Sequence, residues 1–223
     1  MYRLLMTRPQ ELSAVATKDI MPVVFVVDDD ISIRESLELL IRQAGWRPEL
    51  FSSAKDFLSF PRMHVPSCLI LDVNLPDLSG LELQELVSGD RADMPIIFVT
   101  GFGDVPTTVR AMKAGAVEFL TKPFSDEVLI GAIESALERS AETVGLEAQQ
   151  EVLRECYNSL SRREREVMRF VVTGMLNKQV GFELGISEIT VKAHRGQVMR
   201  KMNARSLPDL VKMSAKLGVG LDS

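Results

Sequence analysis

Cysteine is scarce in this 223-residue chain: only Cys68 and Cys156 occur, far apart and without metal-ligand spacing. That excludes a disulfide framework or a zinc centre as the organising element and predicts two reduced thiols. Long apolar runs are also missing. The longest, such as Val23 to Val27, fall far short of the roughly 20 residues a membrane-spanning helix needs. Met1 to Met6 is apolar but is followed at once by Arg8, Pro9 and Glu11, without the continuous apolar core and small-residue cleavage site of a secretory signal. Together these absences predict a cytoplasmic protein with no membrane partner. The 46% hydrophobic and 26% charged content is ordinary for a globular protein. The length suits two domains of about 100 to 150 residues each.

The net charge of -5 conceals an asymmetry. Residues 157–223 hold 12 Lys and Arg against 6 Asp and Glu, a balance of +6, so residues 1–156 carry -11. An acidic whole chain therefore does not exclude nucleic acid as a partner, because the basic portion is the candidate DNA binder.

From Val23 onward, apolar runs alternate with amphipathic segments: VVFVV then Ser32 to Ala44, CLILDV then Ser79 to Val87, IIFVT then Val105 to Ala114, VEFL then Ser125 to Arg139. Short, fully apolar runs alternating with helical periodicity predict parallel strands covered on both faces by helices. A further strand is expected at Pro48 to Phe51, since Gly45 ends the first helix and Ser52-Ser53 can cap another near Ala54. The predicted fold is α/β, a doubly wound five-stranded parallel sheet with five helices, followed by a small all-α domain. Residues 22–140 form the first domain. Residues 141–156, polar and free of proline, read as a helical or flexible linker, and 157–223 form the second domain. Residues 1–21 show no period and are expected to be an N-terminal extension outside the folded core, with Met21 an alternative start.

In such a sheet the functional crevice lies outside the carboxyl ends of the strands. VVFVV runs into Asp28-Asp29-Asp30 and CLIL into Asp72, so carboxylates from two strands meet there. Such crowding calls for a cation, and magnesium with oxygen ligands suits an open site that also takes phosphate oxygens. The other strand ends supply Thr100 and Lys122, the latter followed by Pro123. A carboxylate nucleophile, a metal, a hydroxyl and an ammonium are what acceptance of a phosphoryl group requires. Asp72 would attack phosphorus, Lys122 and the metal would offset charge on the equatorial oxygens, and Thr100 would hydrogen-bond one of them. Singly, each has an ordinary explanation: strand-end aspartates cap helices, lysines are solvated and threonines end strands. Their complementary chemistry at one end of four strands argues for function.

Asp28-Asp29, the segment Asp72-Val73-Asn74-Leu75-Pro76 with Gly80, the Val99-Thr100-Gly101 step and the run Ala114 to Pro123 resemble the receiver domains of response regulators, over residues 22–140. The run TGFGDVPTTVRAMKAGAVEFLTKPF is most similar to the FixJ branch. The resemblance implies that Asp72 is phosphorylated by a sensor histidine kinase. It implies magnesium held by Asp28, Asp29, Asp72 and the backbone carbonyl of Asn74, with Lys122 contacting phosphate. It also implies that Thr100 and Phe119 act as a coupled switch, although Phe119 reads equally as strand core and lacks the hydroxyl of the tyrosine often found there. New phosphate oxygens would draw the Thr100 hydroxyl, vacating space for Phe119 and altering an external surface. Gly101 and Gly103 lie where a rearranging loop needs them, or simply form a turn.

In the basic part, Ser161 with Glu164 forms a capping box before the apolar face of Val167, Phe170 and Val171. Asn177 to Leu184 is a short helix stopped by Gly185, and Ser187 caps a third from Glu188 to Met202. Two helices joined by a glycine-containing turn form a helix-turn-helix, whose second helix enters the major groove. Val191, His194 or Arg195, Val198 and Met202 should face inward. Lys192 is the leading base-edge candidate, with Ala193 and Gly196 near the groove and Arg195 reading bases or phosphate. Lys178, Ser187, Thr190, Arg200 and Lys201 fit phosphate contacts. His194 reads as a DNA ligand or, preferably, a packed core residue. The run from Leu160 to Met202 resembles the LuxR-type DNA-binding domain of the FixJ and NarL regulators, over residues 157–217. Gln179 and Gly181 depart from its usual glutamate and alanine; Gly181 should weaken its helix by about 1 kcal/mol unless packing requires it. The resemblance implies a transcription regulator and not an enzyme, a homodimer when phosphorylated, acting on paired half-sites in promoter DNA.

Overall fold

The computed structural model describes residues 21–101 and 103–219. All but Met21 of the expected N-terminal extension lies outside the described residues. The chain divides into two compact units, one up to Leu146 and one from Glu147.

The first unit is built on five parallel strands, β1 (Val23–Val27), β2 (Arg47–Phe51), β3 (Ser67–Asp72), β4 (Ile96–Thr100) and β5 (Glu118–Thr121), in the spatial order β2-β1-β3-β4-β5. Between and after them run α1 (Ile31–Gln43), α2 (Ala54–Ser59), α3 (Gly80–Asp90), α4 (Val105–Lys113) and α5 (Asp126–Asn158). The predicted α/β sheet is therefore present.

Both sheet faces are buried at the centre because β1, β3 and β4 are almost wholly apolar, and alternation then sorts their side chains to opposite layers. Val23, Phe25, Val27, Leu69, Leu71 and Phe98 pack with Phe57, Leu83, Val87 and Ala111 from α2, α3 and α4. On the other face Val24, Val26, Cys68, Ile70 and Val99 meet Leu37 and Ile41 of α1 and Leu129, Ile133 and Leu137 of α5. Cys68 is a free thiol sealed in this layer, and burial pushes its ionisation far above the ordinary range, so it is inert packing. Cys156 is also free and half-buried.

Helix starts follow their caps. Ser53, Ser79 and Asp104 each accept a hydrogen bond from the backbone N–H three residues on, and Ser79 with Glu82 completes a capping box. The segment 141–156 lies within α5, which ends at Asn158. Within the first unit, buried Ser140 accepts from Ser67 N–H (2.9 Å) and donates to the Asp93 carbonyl (2.6 Å), tying α5 to the amino-terminal side of the sheet.

The second unit adds α6 (Arg162–Val172), α7 (Asn177–Leu184), α8 (Glu188–Lys201) and α9 (Leu207–Leu217). Its core is Leu160, Val167, Met168, Val171, Val180, Val191, Val198, Met202 and Leu210. Helix α9 was not singled out as an element from the sequence. Its signals were Ser206, which caps it, Pro208 in its first turn and Gly218, left-handed at its end. Among the described residues no helix is long and apolar enough to cross a membrane.

Candidate phosphoacceptor crevice and nucleic-acid interface

Strand register assembles the crevice. Val27 pairs with Leu71, Asp72 with Val99 and Thr100 with Thr121, so Asp28, Asp72, Thr100 and Lys122 end their strands side by side where the strand order reverses. Lys122 N–H donates to the Thr100 carbonyl (2.8 Å), extending the β4–β5 ladder to the lysine itself. The Lys122-Pro123 peptide is cis.

The Lys122 ammonium bridges the two strands nearest the switch point. Its Nζ lies 2.8 Å from Asp28 Oδ2 and 3.3 Å from Asp72 Oδ2, with Asp28 1% and Asp72 9% exposed. Burial acts most strongly on this lysine and would lower its pKa. The hydrogen bond and charge of Asp28, followed by those of Asp72, outweigh it and hold the pKa above its ordinary value. The cation therefore stays charged at neutral pH.

One carboxylate oxygen from each of Asp28, Asp29 and Asp72 lies within 4.8 Å of the other two. An all-oxygen anionic set of this kind suits a hard divalent cation such as magnesium. Asp30 takes no part in it. Its carboxylate instead accepts from Ser32 N–H (2.8 Å) as the N-cap of α1. Asn74 is exposed, and its N–H donates to Asp72 Oδ1 (3.0 Å), which orients that carboxylate.

Thr100 is fully buried. Phe119 is half-buried against the first core layer, its ring 5.9 Å from that of Phe98. Gly103 closes over that neighbourhood: a Cβ there would stand 2.6 Å from Thr121 Cγ2 and 3.1 Å from the Phe119 ring. A side chain at 103 would thus collide with Thr121 and crowd the Phe119 ring.

Two further residues near the crevice, Asp77 and Arg34, were not singled out from the sequence, and Gly80 was named there only within the receiver-like motif. Gly80 passes so close to β3 that a Cβ would sit 2.4 Å from the Asp72 carbonyl. Asp77 accepts from Lys55 N–H (2.9 Å) and Ala54 N–H (3.3 Å), pinning the loop after Asp72 to the start of α2. The Lys55 N–H bond is the chief reason its carboxyl titrates lower than usual. Arg34 donates Nη1 to the Asp28 carbonyl (2.6 Å). Only the glycine before a helix was a usable sequence signal; the other two bonds join residues whose proximity depends on the fold.

In the second unit, Gly185 is left-handed (φ 64°) and ends α7, and Ser187 caps α8 by accepting from Thr190 N–H (3.1 Å). The turn packs tightly, since a Cβ on Gly181 would lie 2.7 Å from the Ile186 carbonyl. Close packing of the turn thus favours glycine at 181, which offsets the expected helix penalty. Gln179 Oε1 accepts from Leu176 N–H (2.8 Å), doing at the start of α7 what glutamate would do.

Lys178, Ser187, Thr190, Lys192, Ala193 and Gly196 are all exposed. Arg195 is half-buried and donates to Asn177 Oδ1 (3.1 Å), linking the two helices. Val191, Val198 and Met202 are buried as expected, and His194 is half-buried. Lys201, expected at a DNA phosphate, has partners within the domain. Its ammonium is bound to Glu164 Oε2 (2.7 Å) and the Ser159 carbonyl (3.1 Å), because α8 brings its last turn against the start of α6. Arg200, one residue earlier, is exposed.

Comparison with known proteins agrees with this geometry in both units. Residues 24–134 match the response regulator receiver domain model, and residues 158–214 match that of the luxR family of bacterial regulatory proteins. Nodulation protein W of Bradyrhizobium diazoefficiens is 52% identical over 199 residues, covering 88% of this chain and 87% of the relative. The chain belongs to the two-component response regulators. Response regulator protein TodT of Pseudomonas putida is 45% identical, with 90% of this chain and 88% of that protein covered. Transcriptional regulatory protein FixJ of Rhizobium meliloti is 41% identical, with 88% and 97% covered. Among solved structures, that of response regulator StyR has a TM-score of 0.80 at 47% identity, covering 88% of this chain and all of that one. This response regulator thus joins a receiver to a LuxR-type DNA-binding domain in a family of transcription regulators, not of enzymes.

Proposed function

We propose that the regulator accepts a phosphoryl group on Asp72 from a sensor histidine kinase in the cytoplasm and thereby controls its binding to promoter DNA. The observation that carries this reading is the Lys122 ammonium shared between Asp28 and Asp72, three residues that meet only through the fold. An Asp72 oxygen attacks phosphorus as the kinase imidazole leaves. Lys122 turns from its carboxylate partners to the incoming phosphate oxygens, a charge-assisted contact. Magnesium bound by Asp28, Asp29, Asp72 and the Asn74 carbonyl would supply further positive charge to those oxygens. Thr100 then hydrogen-bonds phosphate, and the space it leaves admits Phe119.

The surface that changes is proposed to include α4. Val105, Val109 and Met112 lie at helical spacing on it and are exposed. Pairing of two phosphorylated copies there would bring two DNA-binding domains to adjacent half-sites. Lys192, Ala193 and Gly196 then face base edges, Arg195 reads from its anchor on Asn177, and Lys178, Ser187 and Thr190 hold phosphates. Lys201 is proposed to hold the domain together instead of contacting DNA.

The test is treatment of wild type and Asp72→Asn with acetyl phosphate, with and without magnesium, followed by gel filtration and DNA binding at fixed salt. Magnesium-dependent phosphate uptake by wild type alone, with a shift to dimer and tighter DNA binding, is expected. Equal labelling of Asp72→Asn would overturn the site, and labelling without a change in DNA affinity would overturn the coupling.

A further inference from the structure

The segment Asp28 to Arg34 is closed into a compact loop by four bonds. Asp30 N–H donates to Asp28 Oδ1 (2.9 Å), Ser32 N–H to Asp30 Oδ1 (2.8 Å), Arg34 N–H to the Asp30 carbonyl (3.1 Å), and Arg34 Nη1 to the Asp28 carbonyl (2.6 Å). The first three are what any capped helix start provides. The fourth is not. A half-buried guanidinium has been brought back beside an acidic cluster and set on a neutral carbonyl oxygen, not on a carboxylate.

Fixing an arginine side chain costs about 2 kcal/mol of rotamer entropy, so an ordinary surface arginine would remain free or pair with an acid. Here the consequence falls on Asp28. Its side chain is already held from two sides, by Lys122 on Oδ2 and Asp30 N–H on Oδ1. With Arg34 on its carbonyl, the peptide joining Asp28 to Asp29 is fixed as well. The direction in which exposed Asp29 projects follows from that peptide.

We infer that Arg34 is a positioning residue that presents the Asp28–Asp29 pair to a divalent cation by clamping the peptide between them. This rests on the reading of Asp28, Asp29 and Asp72 as magnesium carboxylates. Two effects of the guanidinium oppose each other and give the inference a sign. As a nearby positive charge it weakens cation binding; as a clamp it preorganises the ligands and strengthens it. Residues that orient ligands without touching the metal typically change affinity roughly 10- to 100-fold when removed. Repulsion of a cation by this one guanidinium, beside three carboxylates that attract it, is a smaller influence. Preorganisation should therefore dominate.

The experiment compares full-length wild type, Arg34→Gln and Arg34→Lys by magnesium calorimetry, thermal melting without metal, and acetyl phosphate labelling across a magnesium series. Arg34→Gln is expected to bind magnesium roughly tenfold more weakly. Its labelling should shift to higher magnesium and recover at saturation, with an unchanged metal-free melting temperature. Arg34→Lys, which keeps a donor, should regain part of the affinity. Unchanged or tighter binding by Arg34→Gln would overturn the inference, tighter binding meaning that charge alone matters. A parallel fall in metal-free melting temperature would also overturn it, as the sign of a purely structural bond. If wild type binds magnesium and shows the Arg34 effect but is not labelled, the clamp stands and the phosphoacceptor reading fails.

Discussion

At Gly80 the first turn of α3 passes so near β3 that no side chain fits between them. The atom in the way is the Asp72 carbonyl, part of rigid backbone, so a methyl group can be accommodated only by moving β3 or the helix. Gly80→Ala should therefore lose about 1 to 3 kcal/mol in urea unfolding and also slow labelling of Asp72. Equal loss of stability without a change in labelling would show that the helix yields and not the strand. Two lysines of α8 offer a contrast at the same scale. Lys192 is exposed and its substitution by alanine should weaken binding to a specific site by about 1 to 3 kcal/mol, leaving unfolding unaffected. Lys201→Ala should do the reverse, lowering stability while specific DNA affinity of the folded protein is retained, as gel shift and chemical melts would reveal.

Between elements, the Lys201–Glu164 pair ties the last turn of α8 to the first turn of α6. Glu164 is 6% exposed, and its carboxyl titrates below the usual range, chiefly because of the Lys201 hydrogen bond. A carboxyl whose pKa is lowered by folding adds stability above its unfolded pKa of about 4.3. That contribution is lost as pH falls through the lower folded value. The second unit should thus unfold more readily as pH drops below about 4, and Glu164→Gln should flatten that dependence while costing about 1 to 3 kcal/mol at pH 7. Melts monitored by circular dichroism from pH 7 to 3 would check both. The capping signals around this pair were legible in the chain: Ser161 and Glu164 are three residues apart and form the expected box. Their lysine partner was not, because Lys201 is 37 residues away and becomes a neighbour only when α8 packs on α6.

In the whole molecule, phosphate at the carboxyl end of the sheet is proposed to act at α4 and then at DNA. Val109→Lys, on the exposed face of α4, should leave Asp72 labelling intact while keeping the labelled protein monomeric on gel filtration. Its affinity for a paired site should fall at least about tenfold, because the second domain is no longer delivered at high local concentration. The amino-acid sequence alone determined the order of the strands and helices of the first domain, the acidic and basic halves, and the placement of Asp28, Asp72, Thr100 and Lys122 at strand ends. Each of these depends on local periodicity, capping and turn chemistry, which neighbouring residues encode. Tertiary structure alone decided that Lys122 bridges Asp28 and Asp72, that Asp77 is tied to the start of α2, and that Lys201 is committed to Glu164. The physical reason is that a charged side chain has several partners of similar energy within reach. Which one it takes depends on distances set by packing, not by spacing along the chain.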